Sequence, residues 1–294
     1  MAERLHTFSP QALRDPKGVP RRWGGLLWRA LSRNWGRDVM LYTGGVSFFA
    51  LLAVFPALGI MIGLYGVFTS PAEAGAQAAA FADLLPEGAE ELLRGELNRL
   101  VSAPAEAVSL QSLVALVITA YAAHRGFKAL LAGLNFIHEE GDPHGFVGFN
   151  LLAGFVAVAA FAVLIVTSTA FLTIRVIAQT FPFDLPWILS EWLWASLGLT
   201  GGLTLLYRYA MSRAPTPWRP SVVGGVGAAL LSLAASWACA VYVETIAPLG
   251  ATYGSIGAVV VFLIWLSWNV NAVFFGAALA TEIEHAALEG PELL

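Results

Sequence analysis

Residues 245–281 read TIAPLGATYGSIGAVVVFLIWLSWNVNAVFFGAALAT and hold no Asp, Glu, Lys or Arg. A helix needs about 20 apolar residues to cross a bilayer, so this run is too long for one crossing. The turn signals Pro248, Gly250 and Gly254 cut it and leave a helix over about 255–281. Runs of the same kind lie upstream. They predict spans over about 41–68, 109–125, 146–174, 187–207 (interrupted only by Glu191) and 220–243. The third is long enough to tilt.

Composition agrees. The chain has 294 residues, is 57% hydrophobic and 12% charged, and has a mean hydropathy of +0.70. Soluble domains carry about a quarter charged residues, so the solvent of this surface is lipid. The expected fold is all-α, a polytopic integral membrane protein with about six transmembrane helices. Residues 1–38 form an N-terminal arm, 39–285 the membrane domain and 286–294 a short tail. The first apolar run starts near Leu41, too late and too long for the core of a cleavable signal. The single cysteine, Cys239, excludes disulfides within the chain and Cys-based metal sites.

Lys and Arg predict the orientation, because cytoplasmic loops are enriched in them. Of the sixteen, eight precede the first span. Arg125 and Lys128 follow the second, and Arg208, Arg213 and Arg219 follow the fourth. Only Arg94, Arg99 and Arg175 fall on the other side. Thirteen against three places both termini in the cytoplasm. The low Lys content, with only Lys17 and Lys128, and the many Ala and Gly fit a GC-rich bacterial source.

Two segments outside the spans read as helices. Over 22–37, Trp23, Leu27, Leu31 and Trp35 recur every four residues, while Arg22, Arg29, Arg33 and Arg37 share another face. This is the pattern of an interfacial helix with aromatics in lipid and Arg toward anionic headgroups on the cytoplasmic side. The external loop over 70–108 starts a helix at Pro71, breaks at Pro86, and then shows an apolar side with Glu87, Glu90, Glu91 and Glu96 around it. It either caps the bundle, packs on another subunit, or is a solvated connector. Self-association is left open.

Motifs for chemistry are missing. No Walker loop, HExxH, GxSxG or dinucleotide fingerprint is present, so no enzyme, cofactor or nucleic-acid partner is expected. The cluster His138-Glu139-Glu140-Gly141-Asp142-Pro143-His144 lacks an i, i+4 His pair and reads as a solvated turn, not a metal site. Glycine pairs at Gly44-Gly45, Gly201-Gly202 and Gly224-Gly225 read as close helix contacts. Polar residues at membrane depth carry more information. Glu191, Glu244 and Arg175 lie near the external face, where snorkelling explains them or an ion pair joins them. Arg125 and Lys128 sit in an apolar pattern that continues to Ile137, so the second helix runs past the bilayer with these two at the cytoplasmic headgroups. They either anchor the span or, with Arg208, line an inward cavity that meets phosphate or carboxylate. Asn150, Asn269 and Asn271 complete the set, and the last two, two residues apart, cannot face the same way. Pro56 loosens the first span at mid-membrane.

Four stretches together resemble the YihY/virulence factor BrkB family of bacterial inner-membrane proteins. Residues 42–56 (YTGGVSFFALLAVFP) are similar to its aromatic segment ending in Phe-Pro. Arg125-Gly126-Phe127-Lys128-Ala129-Leu130 with Leu134-Asn135-Phe136-Ile137 is similar to its second-span exit. Tyr207-Arg208-Tyr209 before Pro215, Pro217 and Trp218 resembles its fourth-span exit. Tyr253-Gly254-Ser255-Ile256-Gly257, Leu263-Ile264-Trp265 and Gly276-Ala277 resemble its last helix. His124 departs from the small or hydroxyl residue frequent before the Arg. The resemblance covers about 34–285 and implies a six-span inner-membrane protein. The family was once labelled a ribonuclease and is linked by name to serum resistance, and some members have been proposed to move lipids or other amphipathic molecules.

The expectation is a transporter or translocator of a lipid-like or small amphipathic or anionic substrate, with no ATPase of its own. Its candidate substrate residues are Arg125, Lys128, Arg208, Asn269, Asn271, Glu191 and Glu244, with Pro56 as a helix break. Its partners are membrane lipids. The alternative is a non-transporting envelope scaffold acting through the external helices. A ribonuclease fails on chemistry, since no acid–base pair is visible.

Overall fold

A computed structural model of the protein describes residues 19–35, 39–68, 95, 108–139, 145–180, 191–210, 215–243 and 257–289. Among the described residues the structure is all-helical, with seven helices. These are α1 (Val19–Trp35), α2 (Val39–Phe68), α3 (Val108–His138), α4 (Gly145–Thr180), α5 (Glu191–Ala210), α6 (Trp218–Val241) and α7 (Gly257–Glu289).

Each expected span overlaps one of α2 to α7. Among the described residues, three helices are long and apolar enough to cross a bilayer: Val147–Phe171, Trp218–Val241 and Gly257–Ala287. Helix α2 stays helical through Pro56, and α3 runs on past Arg125 and Lys128 to His138. The final helix continues beyond 281, where the sequence places its end, to Glu289. The external loop over 70–108 lies outside the described residues, Gly95 and Val108 apart, as do Glu244 and residues 140–144. Glu191 opens α5, but its side chain and that of Arg175 are also outside them.

The helices from α2 to α7 pack in chain order, and α7 returns to α2, so six of them close a ring. Helix α7 also packs on α3, and α1 lies against α7. The tightest seams are those of α7 with α6 and of α2 with α3. Small residues allow the first. A Cβ on Gly224 would stand 2.6 Å from the carbonyl oxygen of Gly276, and a Cβ on Gly276 would stand 2.6 Å from the carbonyl oxygen of Gly224 and 2.5 Å from the Ala228 Cβ. The two backbones therefore touch, which is how apolar helices gain dispersion contact when lipid offers no hydrophobic drive. Tyr207 of α5 is buried beside this crossing and donates its hydroxyl to the Val273 carbonyl at 2.7 Å. Helix α4 is the opposite case, packing on α3 and α5 with little hold on α7.

Candidate functional site

One stripe on each of α3, α4 and α5 defines a cleft. On α3 the i, i+3/i+4 series from His138 through Leu134 and Leu131 is buried. Continued away from the α1 end, the series passes half-buried Phe127 and His124 and becomes exposed at Ala120, Leu116 and Leu113. On α4, Ala153 and Ala157 are buried, and Ala160 and Leu164 on the same stripe are exposed. On α5, Ala210 and Leu203 are buried, and Leu199 and Ala195 are exposed. Such stripes mark single helix faces. Toward the α1 end α3 packs on α4, and at the other end its exposed stripe turns away, while α4 and α5 stay in contact there: a Cβ on Gly198 would stand 2.8 Å from Thr167, and the Phe171 and Trp194 rings lie 6.5 Å apart. The parted surface is apolar.

Polar side chains sit where the α3 stripe changes character. His124 Nε2 lies 3.0 Å from the backbone oxygen of Asn150 on α4, and Lys128 Nζ donates to Asn150 Oδ1 at 2.8 Å. The ammonium also lies 6.0 Å from the Phe149 ring centroid. This pair of contacts staples α3 to α4 at the floor of the cleft. A lysine there places a cation beneath apolar walls.

The other candidates from the sequence do not join this floor. Arg125 is exposed, its guanidinium 5.6 Å from the centroid of Phe49 on α2. Arg208 closes the α5–α6 turn, donating to the Thr216 carbonyl at 2.6 Å and stacking 4.2 Å over Trp218. Asn269 and Asn271 serve two different seams. Asn269 donates to the Trp265 carbonyl at 2.9 Å and reaches Ser236 of α6 at 3.5 Å. Asn271 donates to the Ser267 carbonyl at 2.9 Å and accepts from Thr43 of α2 at 3.5 Å.

A second polar centre, absent from the sequence reading, closes the α1 end. Glu282 of α7 is buried and takes two arginines from α1. Arg33 Nη2 lies 2.7 Å from Glu282 Oε1, and Arg29 Nε lies 3.3 Å from Oε2. Arg33 also donates to the Ile137 carbonyl at 3.0 Å and pairs with Glu139 at 3.1 Å. With 14% and 7% of their side-chain surfaces exposed, Arg33 and Glu282 form a nearly dry pair. Beside them, His138 Nδ1 is 3.0 Å from Thr281 Oγ1. That hydroxyl also lies 3.0 Å from the Ala277 carbonyl, to which it donates.

This centre changes the reading of α1. Its exposed face is apolar, with Leu27, Trp28, Leu31 and Trp35, as an interfacial helix requires. Arg29 and Arg33, expected at lipid headgroups, instead turn onto α7 because Glu282 offers a carboxylate where Leu26 and Ala30 pack. His138 likewise belongs to the bundle and not to a solvated turn. The signal in the sequence was Glu282 itself, the first charge after the long neutral run.

The sequence profile of the family described as virulence factor BrkB matches residues 30–292. The chain belongs to that family. Arg33, Lys128, Asn150 and Glu282 all fall inside the matched region. A UPF0761 membrane protein of Rhodospirillum centenum is 24% identical over 278 residues, 93% of this chain and 59% of that relative. The chain therefore spans about three-fifths of the relative's length. No solved structure matches it. With its apolar helices, the chain is a membrane protein of the BrkB family.

Proposed function

We propose that this chain is a six-span inner-membrane translocator of a lipid-like or small amphipathic, anionic substrate, with both termini in the cytoplasm and no ATPase of its own. The observation that carries the reading is the one-sided cleft between α3 and the α4–α5 pair. Its exposed stripes are Leu, Ala and nothing charged, which suits acyl chains. Its floor holds Lys128, which suits an anionic group. The opposite end is shut by the Arg29, Arg33 and Glu282 pairs. A site closed at one end and open at the other is one half of an alternating-access cycle.

The excess of Lys and Arg on one side, thirteen against three, supports the orientation. The six helices α2 to α7 support the span count and the division into arm (1–38), membrane domain (39–285) and tail (286–294). Asn269, Asn271, Glu191, Glu244 and Arg208 take supporting roles in this reading.

The test is flux of fluorescent phospholipids and amphipathic anions in proteoliposomes. Filling the cleft with Leu164→Trp is expected to cut transfer roughly tenfold, about 1.4 kcal/mol on a barrier. Transfer that is undetectable with wild type, or unchanged by this variant, sinks the proposal. The scaffold reading would then take its place.

A further inference from the structure

The outer face of the α5–α6 seam carries a fixed cation at one end and an apolar groove below it. Helix α5 has 20 residues, roughly 30 Å of axis and the depth of a hydrocarbon core. Arg208 lies in its last turn, so it stands at the cytoplasmic boundary of the bilayer. The start of α6 is held at the same level. The Thr216 N–H donates to the Arg208 carbonyl at 3.0 Å, and the guanidinium donates back to the Thr216 carbonyl at 2.6 Å. Two half-exposed rings flank the cation, with centroids at 4.2 Å for Trp218 and 5.2 Å for Tyr209. Arg208 itself is half-buried, and its Nε is buried without a hydrogen-bond partner. Among the described residues no carboxylate pairs with it. A planar guanidinium that is locked in place and short of acceptors fits phosphate oxygens. The first turn of α6 has no side-chain cap, so the positive end of its dipole adds to the same field.

The groove follows from how the two helices meet. A Cβ on Gly225 would stand 2.5 Å from Thr204 Oγ1, and one on Gly224 would stand 3.3 Å from the Tyr207 ring and 2.6 Å from the Gly276 carbonyl oxygen. Thr204 and Gly225 therefore mark the seam, while Tyr207 and Gly224 lie on its α7 side. The two helices run in opposite directions, and each residue advances about 100° around its axis. The residues that follow the seam positions thus turn to one common side, away from α7. These are Leu205 on α5 and Val222 and Val226 on α6, all exposed, as are Tyr209 and Trp218 one turn above them. Gly201 continues the α5 stripe with open space where a Cβ would stand. The groove runs roughly 12 Å inward from Trp218 to Val226 and is apolar throughout.

We infer that Arg208, with Trp218 and Tyr209, seats the phosphate of an anionic phospholipid of the cytoplasmic leaflet, with an acyl chain in the groove between α5 and α6. An arginine that merely anchors a span carries its charge on a free side chain. This one is held by a carbonyl and two rings, so the site is formed before the lipid arrives. The occupant is a lipid and not free phosphate, because the surface directly beneath the cation is apolar and an acyl chain covers it. The site lies on the outside of the ring, apart from the cleft. It rests on the spans and orientation proposed above but not on translocation.

Native mass spectrometry of the full-length protein tests it, with phosphatidylglycerol, diacylglycerol and inorganic phosphate as probes. Wild type is expected to retain phosphatidylglycerol, and Arg208→Gln to retain about fivefold less, down to its retention of diacylglycerol. Arg125→Gln removes an exposed arginine and should retain phosphatidylglycerol as wild type does. Should Arg208→Gln not fold, Val222→Trp carries the test, because it fills the groove from an exposed position and leaves Arg208 in place. It should cut retention about threefold, close to 0.6 kcal/mol. Retention by Arg208→Gln, or by Val222→Trp in its stead, equal to that of wild type overturns the site. Equal losses from Arg208→Gln and Arg125→Gln also overturn it, since they mean general attraction between arginines and anionic lipid. Competition by inorganic phosphate overturns the lipid as occupant. Loss of flux with lipid retained would sink the translocator reading and leave the site standing.

Discussion

Helices α4 and α7 are alike in composition and opposite in use. Both exceed thirty residues, and each holds a stretch apolar enough to cross a bilayer. Yet α7 is buried almost continuously from Ala277 to Ile283, while α4 exposes Val158, Phe161, Leu164, Ile165 and Val166 around most of its girth. Hydropathy does not separate them. Side-chain size does. Where α7 meets α6 it presents Gly276 and Ala280 to Gly224 and Ala228, so two backbones come into contact. Beyond Ala160, α4 carries mostly bulky branched and aromatic residues that stay exposed, and close approach there is left to the glycines of α5, Gly198 against Thr167 and Gly202 against Val163. In lipid, small residues make the permanent core, and large ones leave a helix free to line a space.

The strongest way to break the contrast is through the charge that anchors α7. Glu282→Ala leaves Arg33 buried without its main partner, a loss of about 3–5 kcal/mol. It should appear as a lower midpoint for unfolding in detergent, with protease access to α1. Arg29→Ala should cost far less, because Arg29 is the more exposed partner. A double-mutant cycle between Arg33→Ala and Glu282→Ala should return a coupling of roughly 2 kcal/mol. Additivity would mean that the pair does not hold the α1 end.

Next in size is the small-residue seam. Gly276→Leu forces a side chain into Ala228, the Gly224 carbonyl and the Tyr207 hydroxyl, and is expected to cost about 3 kcal/mol. Gly201 has open space where a Cβ would stand, so Gly201→Leu on α5 should change the midpoint by no more than about 0.5 kcal/mol. Equal effects at the two glycines would refute the role given to size. The asparagines rank below: Asn269→Ala and Asn271→Ala should each cost about 1 kcal/mol, and independently, since they bond to α6 and α2.

The positions of α2 to α7 were legible in the sequence because charge-free runs and turn residues are local signals. The continuation of α3 beyond Lys128 was legible for the same reason, since Leu130, Leu131 and Leu134 keep the helical period. The partner of Arg33 was not, because Glu282 lies 249 residues away. Periodicity tells which residues share a face but not what that face meets, so α1 read as a helix aimed at headgroups. The cleft was invisible for a related reason. Ala153, Ala157, Ala160 and Leu164 form one uniform apolar stripe, and only the parting of neighbours makes its outer half exposed. Lys128 could be named as a candidate, but its bond to Asn150 depends on how α3 and α4 cross.

The smallest stability effect is expected on α4, and it sharpens the contrast most. Leu164→Ala removes an exposed side chain, so the unfolding midpoint should move by less than about 0.5 kcal/mol. Ala157→Leu, one stripe position toward the buried end, should cost about 1–3 kcal/mol through overpacking. If α4 lines a path, Leu164→Ala nevertheless changes the rate or selectivity of lipid transfer in proteoliposomes. Replacing a structural core residue would change both quantities together. Separation of the two readouts at Leu164, and their coincidence at Ala157, is what a wall that is packed at one end and open at the other must give. A large loss of stability at Leu164 would instead mean that α4 is packed along its whole length, and the cleft would close as an idea.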